Sequence, residues 1–313
     1  MLVGDYRGAW LISDRVLELR SAEYEQGLPQ HRRSVWNGQP LDGKRVLVRC
    51  HHGLGDTIQF VRYLPMLERF ASKVIFCPQP ALAELFSQDP SICRFMHFGP
   101  DVPDHDADVE IMELAHVFRT TLDTIPAGVP YISSPAVEPS DEHFSVGLVW
   151  KAGNWDDRRS IHFDELEPLS RVPDAALFSL QLDPESAGWR EGGIKPLDAG
   201  SLTKTAAIIR SLDLIVTVDT MAAHLAGALG KAVWLLLPHD ADWRWMRGRE
   251  DSEWYPTMRL FRQQRPGEWG WVISSVADEL ARLASIRDRA ASPRDRRPVP
   301  RHQFPPSTVP PPP

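Results

Sequence analysis

Cysteine is scarce in this 313-residue chain, which holds only Cys50, Cys77 and Cys93. Three thiols so widely spaced make neither a disulfide framework nor a zinc knuckle. Cys50 and Cys77 fall in or beside apolar runs, where small buried hydrophobes are expected. The 11 histidines are scattered and form no HxxxH or HExxH pair, so neither a metal nor a cofactor is expected. No run approaches the roughly 18 apolar residues of a membrane span, and the N-terminus lacks a basic flank, apolar run and small-residue cleavage site. A cytoplasmic protein without a transmembrane segment is expected. Positive charge is short as well: a net charge of −7 and a pI near 5.9 leave no general basic surface for nucleic acid.

What remains is a globular composition, 42% hydrophobic and 25% charged, in a chain long enough for two cores. Its most informative stretch is LDLIVTVDTMAAHLAGALGKAVWLLLP, residues 212–238. It reads as an apolar strand (214–218), a polar corner at Asp219-Thr220, a short helix (221–229), a stop at Gly230 and a second apolar strand (232–237). Continuously apolar strands are those of a parallel sheet covered on both faces. Such a sheet binds ligands at the carboxyl ends of its strands, where the next helix presents unpaired N–H groups and a partial positive charge. Asp219, Thr220, Met221 and His224 occupy that place. Asp-Thr is also a common capping pair, with His224 then simply packed one turn in.

Upstream, helical spacing is expected through residues 1–34, then a turn-rich approach to a strand at 45–50. That strand runs into His51-His52-Gly53-Leu54-Gly55-Asp56-Thr57 and an amphipathic helix expected over 58–70. Gly53 and Gly55 at a strand-to-helix corner let a ligand approach the backbone, although the third glycine of a dinucleotide fingerprint and the lysine of a P-loop are missing. Asp56 is either a helix cap or a functional carboxylate. A strand at 73–77, a helix at 81–88 and shorter elements continue the alternation to about 132, and the polar, proline-bearing segment 133–143 reads as a linker.

The second half opens with a strand at 145–150. The loop after it carries Lys151, Asn154, Arg158 and Arg159, cations that suit a diphosphate at a strand end. A helix at 163–169, a strand at 176–180 and a helix at 204–211 lead into the central βαβ unit. The segment after Pro238 is rich in Trp and Arg, and Trp243, Trp245 and Arg244 in it are suited to stacking on a base or sugar, or to packing between domains. A final helix (274–289) precedes a Pro/Arg-rich tail, 290–313, expected to be disordered.

WNGQPLDGKRVLV, GLGDTIQFVRYLPML, the VGLVW strand with its GN and RRSI, the VDTMAAH block, and DWRW with WYPTMRLFRQ together resemble a particular family. It is the glycosyltransferase family 9 (heptosyltransferase)-like domain that follows tetratricopeptide repeats in bacterial proteins. The resemblance covers roughly residues 35–285. It implies an α/β protein of GT-B fold, two Rossmann-like doubly wound parallel sheets facing across a cleft. Residues 35–135 would form the acceptor domain, residues 144–289 the nucleotide-sugar domain, and residues 1–34 the end of a last repeat. The implied activity is an inverting, metal-independent glycosyltransferase acting from a nucleotide-diphosphate-sugar on a protein, lipid or saccharide.

Asp56 matches the family's proposed general base, and Asp219, Thr220 and His224 match its donor motif. Lys151, Asn154, Arg158, Arg159, Met221 and Trp243 complete the expected donor side. Many relatives carry Glu-Gln where His51-His52 stand here, and His52 is a rival base because imidazole titrates near neutral pH. The alternatives are a sugar-nucleotide epimerase of the same fold and a catalytically silent binding module.

Overall fold

A computed structural model of the chain describes residues 1–19, 34–135, 143–153, 156–198 and 200–291. Asn154, residues 136–142 of the expected linker, residues 20–33 of the expected N-terminal helical stretch, and 292–313 of the expected tail lie outside the described residues.

Helix α1 (Tyr6–Leu19) buries Tyr6 and Trp10. It docks through the Trp10 indole on the Thr120 carbonyl at 2.6 Å and through Asp14 on His116 and Arg119. Strand β1 (Arg45–Arg49), helix α2 (Leu54–Phe60), strand β2 (Lys73–Cys77), helix α3 (Pro80–Ser87) and strand β3 (Ala107–Glu110) follow. The three strands form a parallel sheet in the order β2-β1-β3. Helix α2 begins four residues earlier than the expected helix, so the glycine corner is its first turn. Gly53 is the extended N-cap residue, and Asp56 at the third helical position accepts the Gly53 N–H at 2.9 Å. The expected run to residue 70 is interrupted by a 3-10 turn at Val61–Tyr63 before a last turn at Leu64–Leu67.

The second sheet comprises β4 (Phe144–Val149), β5 (Ala175–Ser179), β6 (Ile194–Pro196), β7 (Leu214–Val218), β8 (Val233–Leu237) and β9 (Met258–Arg262). Its order β6-β5-β4-β7-β8-β9 is parallel throughout. Helix α4 (Leu202–Ser211) leads into β7, α5 (Met221–Ala228) joins β7 to β8, and α6 (Trp269–Ala291) closes the described chain. The left-handed φ of +73° at Gly230 supplies the stop after α5. Counted along the chain, the order is 3-2-1-4-5-6, so the sheet reverses direction between β4 and β7.

One buried cluster runs from Val46 and Val48 of β1 through Ile58 and Phe60 to Ala223 and Leu225 of α5 and then Ile215 and Leu235 of the second sheet. The opposite face of that sheet, including Val146, Leu148 and Val216, packs on Val272, Val276 and Leu280 of α6. Apolar groups on both faces account for the unbroken apolar strands.

The two halves meet where α2 crosses α5. A Cβ on Gly55 would lie 2.7 Å from Cδ2 of His224 and 3.4 Å from Cα of Met221. The His224 ring cannot yield, because its Nδ1 is 2.9 Å from the Tyr255 hydroxyl and it stacks on Trp245. Gly55→Ala should therefore lower stability by ~1–3 kcal/mol despite the better helix propensity of alanine. Gly128→Ala, whose Cβ meets nothing within 4 Å, is the control and should stay within ~0.5 kcal/mol. Urea midpoints of the two variants decide it, and equal midpoints would show that the crossing adapts.

Candidate functional site

In an open parallel sheet the ligand crevice lies at the carboxyl ends of the strands where the order reverses. Here that is the space beyond Val149 of β4 and Val218 of β7, occupied by the loop from Lys151 and by Asp219-Thr220. Arg159 joins the two strand ends by donating from Nη1 to the Asp219 carbonyl at 2.8 Å, and its guanidinium lies 4.0 Å from the Asp219 carboxylate. Thr220 is the N-cap residue of α5, yet its side chain makes no cap bond. Its hydroxyl sits 3.3 Å from that of Thr217, and Met221 opens the helix, half-buried, against Gly55. The first turn of α5 therefore sits against Gly55 of the glycine corner.

The other expected donor residues are placed differently. Lys151 directs Nζ to the Ser186 carbonyl at 3.4 Å, toward the end of β5. Arg158 is exposed and pairs with Asp156 at 2.8 Å. His224 is buried beneath the corner, and burial holds its imidazole well below the usual histidine range, so it is neutral. Trp243 packs edge-on to Tyr6 and Trp254 at ring distances of 6.0 Å for each, inside the junction of the halves.

Asp56 faces the second half of the chain through Arg244. The buried Arg244 guanidinium pairs Nη2 with Asp56, donates Nε to Gln59 at 2.6 Å and Nη1 to Asp242 at 2.9 Å. Arg62 makes a second buried crossing, with Nη1 on the Trp254 carbonyl at 2.8 Å and its guanidinium 4.1 Å above the Tyr131 ring. His52, the other expected base, lies with Nδ1 3.0 Å from the buried Glu110. Glu110 and the linking role of Arg244 are absent from the sequence reading. The available signal was an arginine within an aromatic run, whose charge, once buried, has to be compensated by partners brought from elsewhere in the chain. Among the described residues no cluster of three or more His, Cys, Asp or Glu side chains is set to hold a metal ion, and no helix is long and apolar enough to cross a membrane.

No protein-family model matches the chain. Protein FlbA of Caulobacter vibrioides is 26% identical over 297 residues, covering 80% of this chain and 48% of that protein. The chain thus spans about half the length of the curated relative it matches. Among solved structures, the E. coli ADP-heptose LPS heptosyltransferase II superposes with a TM-score of 0.55 at 13% identity, covering 78% of this chain and 99% of that one. A family 9 glycosyl transferase from Veillonella parvula gives a TM-score of 0.53 at 11% identity, covering 81% and 99%. The architecture is accordingly GT-B, and the structural neighbours are family 9 heptosyltransferases. The tetratricopeptide context of α1 is a proposal that rests on the sequence resemblance.

Asp219 provides a test of the site's electrostatics. Burial raises its carboxyl from the ordinary 3.8 to about 6, against the pull of Trp245 and of Arg159. The folded state binds this proton more tightly than the unfolded chain, so stability falls as pH rises through that window and the loss is complete above it. Asp219→Asn carries no charge at any pH and should be ~1–3 kcal/mol more stable than the wild type at about pH 7.5. The advantage should vanish at about pH 4. Urea unfolding at the two pH values measures it, and an asparagine variant less stable at pH 7.5 would show that Arg159 over-compensates the charge.

Proposed function

We propose that this chain is a glycosyltransferase that takes a sugar from a nucleotide-diphosphate-sugar and passes it, with inversion and without a metal, to an acceptor hydroxyl held by the first sheet. One observation carries the reading: the reversal point of the six-stranded sheet, with Thr220, the α5 amides and Arg159, lies directly against the glycine corner of the first sheet. Partial positive charge at a helix N-terminus, together with a guanidinium, is suited to a departing diphosphate. Thr220 is available to hydrogen-bond a phosphate oxygen because its side chain caps nothing. Asp219, buried beside Arg159, orients a ribose or sugar hydroxyl through its carboxylate. The two sheets supply what an in-line displacement requires, a leaving-group site on one side and a proton acceptor on the other, held in fixed relation. The proton acceptor belongs to the His52–Asp56 corner.

The structural neighbours fit this reading: one is an ADP-heptose LPS heptosyltransferase and the other a family 9 glycosyl transferase. The acceptor of this chain is a protein, lipid or saccharide bearing a free hydroxyl.

Nucleoside diphosphates should raise the melting temperature in the presence of a chelator, since a ligand that binds only the folded state stabilises it by mass action, and nucleosides should do much less. Thr220→Val and Arg159→Gln should each weaken diphosphate binding by ~1–3 kcal/mol, the scale of one lost charge-assisted hydrogen bond. A shift abolished by chelator would replace the metal-free reading with a metal-bridged one. No shift with any nucleotide would favour a silent module, and turnover of donor to an isomeric nucleotide-sugar without acceptor would favour an epimerase.

A further inference from the structure

The first sheet has a reversal point of its own. Strand β1 is flanked by β2 on one side and β3 on the other, so the carboxyl ends of β1 and β3 open a crevice. Those ends carry His51-His52 and Glu110. The Glu110 side chain is only 1% exposed, and each of its oxygens is held. Oε1 lies 3.0 Å from His52 Nδ1, a charge contact without the alignment of a hydrogen bond, and accepts the His51 N–H at 3.3 Å, while Oε2 accepts the Met112 N–H at 2.7 Å. A carboxylate on Nδ1 draws the imidazole proton to that nitrogen and leaves the lone pair on Nε2. Among the described residues nothing hydrogen-bonds that second nitrogen. His52 and Glu110 also stand on the wall of a cavity of about 450 Å3 formed with Ile12 and Val16 of α1, Trp36 and Met112.

Asp56 is placed for a different task. Its Oδ1 is paired with Arg244 and its Oδ2 accepts the Gly53 N–H. Withdrawing it from Arg244 would leave a buried guanidinium short of a partner, which is among the costlier losses a folded protein can suffer.

We propose that His52, oriented by Glu110, takes the proton from the acceptor hydroxyl, and that Asp56 is the counter-charge that seats Arg244 across the two sheets. This rests on the transferase reading above. The acceptor oxygen bonds the anomeric carbon as the bond from that carbon to the diphosphate breaks. The electron pair of the broken bond leaves on the diphosphate, the hydroxyl proton passes to Nε2, and Glu110 stabilises the resulting imidazolium. His52 is the catalytic residue in this scheme and Glu110 its positioning residue.

The charged and titratable groups facing His52 are Glu110 at the end of β3, Asp56 on α2, Arg244 from the segment after β8, and the adjacent His51. Glu113 and His116 line the same cavity. The Glu110 carboxylate beside Nδ1 leads this balance, with Asp56 adding to it, and lifts the imidazole above the usual histidine range, against burial and Arg244. The base form is therefore lost as pH falls through a raised value, and removing the Glu110 charge moves that loss to lower pH.

Two readouts on the full chain test the proposal. Proton NMR of the histidine Cε1–H signals, with His52→Gln identifying the resonance, should show His52 titrating above an ordinary histidine and Glu110→Gln bringing it down. Nucleoside diphosphate release from a panel of nucleotide-sugars, with water or added polyols as acceptor, should show an acid limb in kcat that moves down with the imidazole in Glu110→Gln. If that variant does not fold, Glu110→Asp keeps the charge at shorter reach and should move both readouts in the same direction. His52→Ala should lose ~10²–10⁴-fold in kcat with little change in donor binding, and added imidazole should restore part of the loss, which a purely structural role would not permit. An acid limb that stays in place while the imidazole titration falls, or near-normal kcat in His52→Ala, overturns the base assignment and leaves the transferase reading intact. Wild-type chain that binds nucleoside diphosphate yet releases none from any donor overturns that reading and this proposal with it.

Discussion

A guanidinium removed from water must have its donors and its charge met, and Arg244 meets both with carboxylates from the two halves of the molecule: Asp242 two residues away and Asp56 on α2. Losing one partner of such a buried set costs ~3–5 kcal/mol, because the remaining charge is left uncompensated. Asp56 is itself fixed at the third position of α2 by the Gly53 N–H. The ion pair therefore ties the first turn of α2, and with it the carboxyl end of β1, to the segment that follows β8. Every other feature of the site depends on that registration of one sheet against the other.

The registration is close because glycine allows it. The α2–α5 crossing places the Gly55 backbone against His224 and Met221, and Gly227, one turn on from His224, meets the same Tyr255 ring that His224 touches. His224, Tyr255, Tyr131 and Arg62 fill the space below with a chain of polar contacts: imidazole to Tyr255 hydroxyl, that hydroxyl 3.4 Å from the one on Tyr131, and Tyr131 in turn on Arg62. Burial pushes the Tyr255 phenol up and the His224 imidazole down, so both stay neutral around Arg62. The layer beneath the site is polar, and its charge is that of Arg62, met by carbonyl and hydroxyl oxygens rather than by a carboxylate.

Above that layer the two sheets present opposite chemistry. The reversal point of the six-stranded sheet offers the donor groups of α5 and Arg159, beside a carboxyl that burial keeps near its titration point. The reversal point of the three-stranded sheet offers an imidazole leaning on a buried carboxylate. In the proposed transfer the first end would hold the departing diphosphate and the second would take the acceptor's proton; both ends exist because each sheet follows the same rule about where parallel strands leave room for ligands.

How much of this was legible in the chain follows from how local each signal is. The unbroken apolar runs of β4, β7 and β8, the glycine corner and the VDTMAAH corner are short-range patterns, so the parallel-sheet class and the loop-bearing strand ends could be read directly. Strand β9, with its exposed Arg259, and the three-residue β6 escaped, because an edge strand's pattern is decided by what covers it. The start of α2 within the glycine corner was missed because a hydrogen bond from Gly53 to Asp56 outweighs glycine's poor helix propensity there. Cations close in sequence, Arg158 and Arg159, separate completely in space, one solvated on Asp156 and the other against Asp219. Residue type and spacing thus determined the elements and the corners where chemistry can occur. Which side chains occupy those corners, Glu110 behind His52 and Arg244 on Asp56 rather than His224 or Trp243 in the open, was decided only by tertiary structure, because a buried charge takes its partner from whichever distant segment the packing brings within reach.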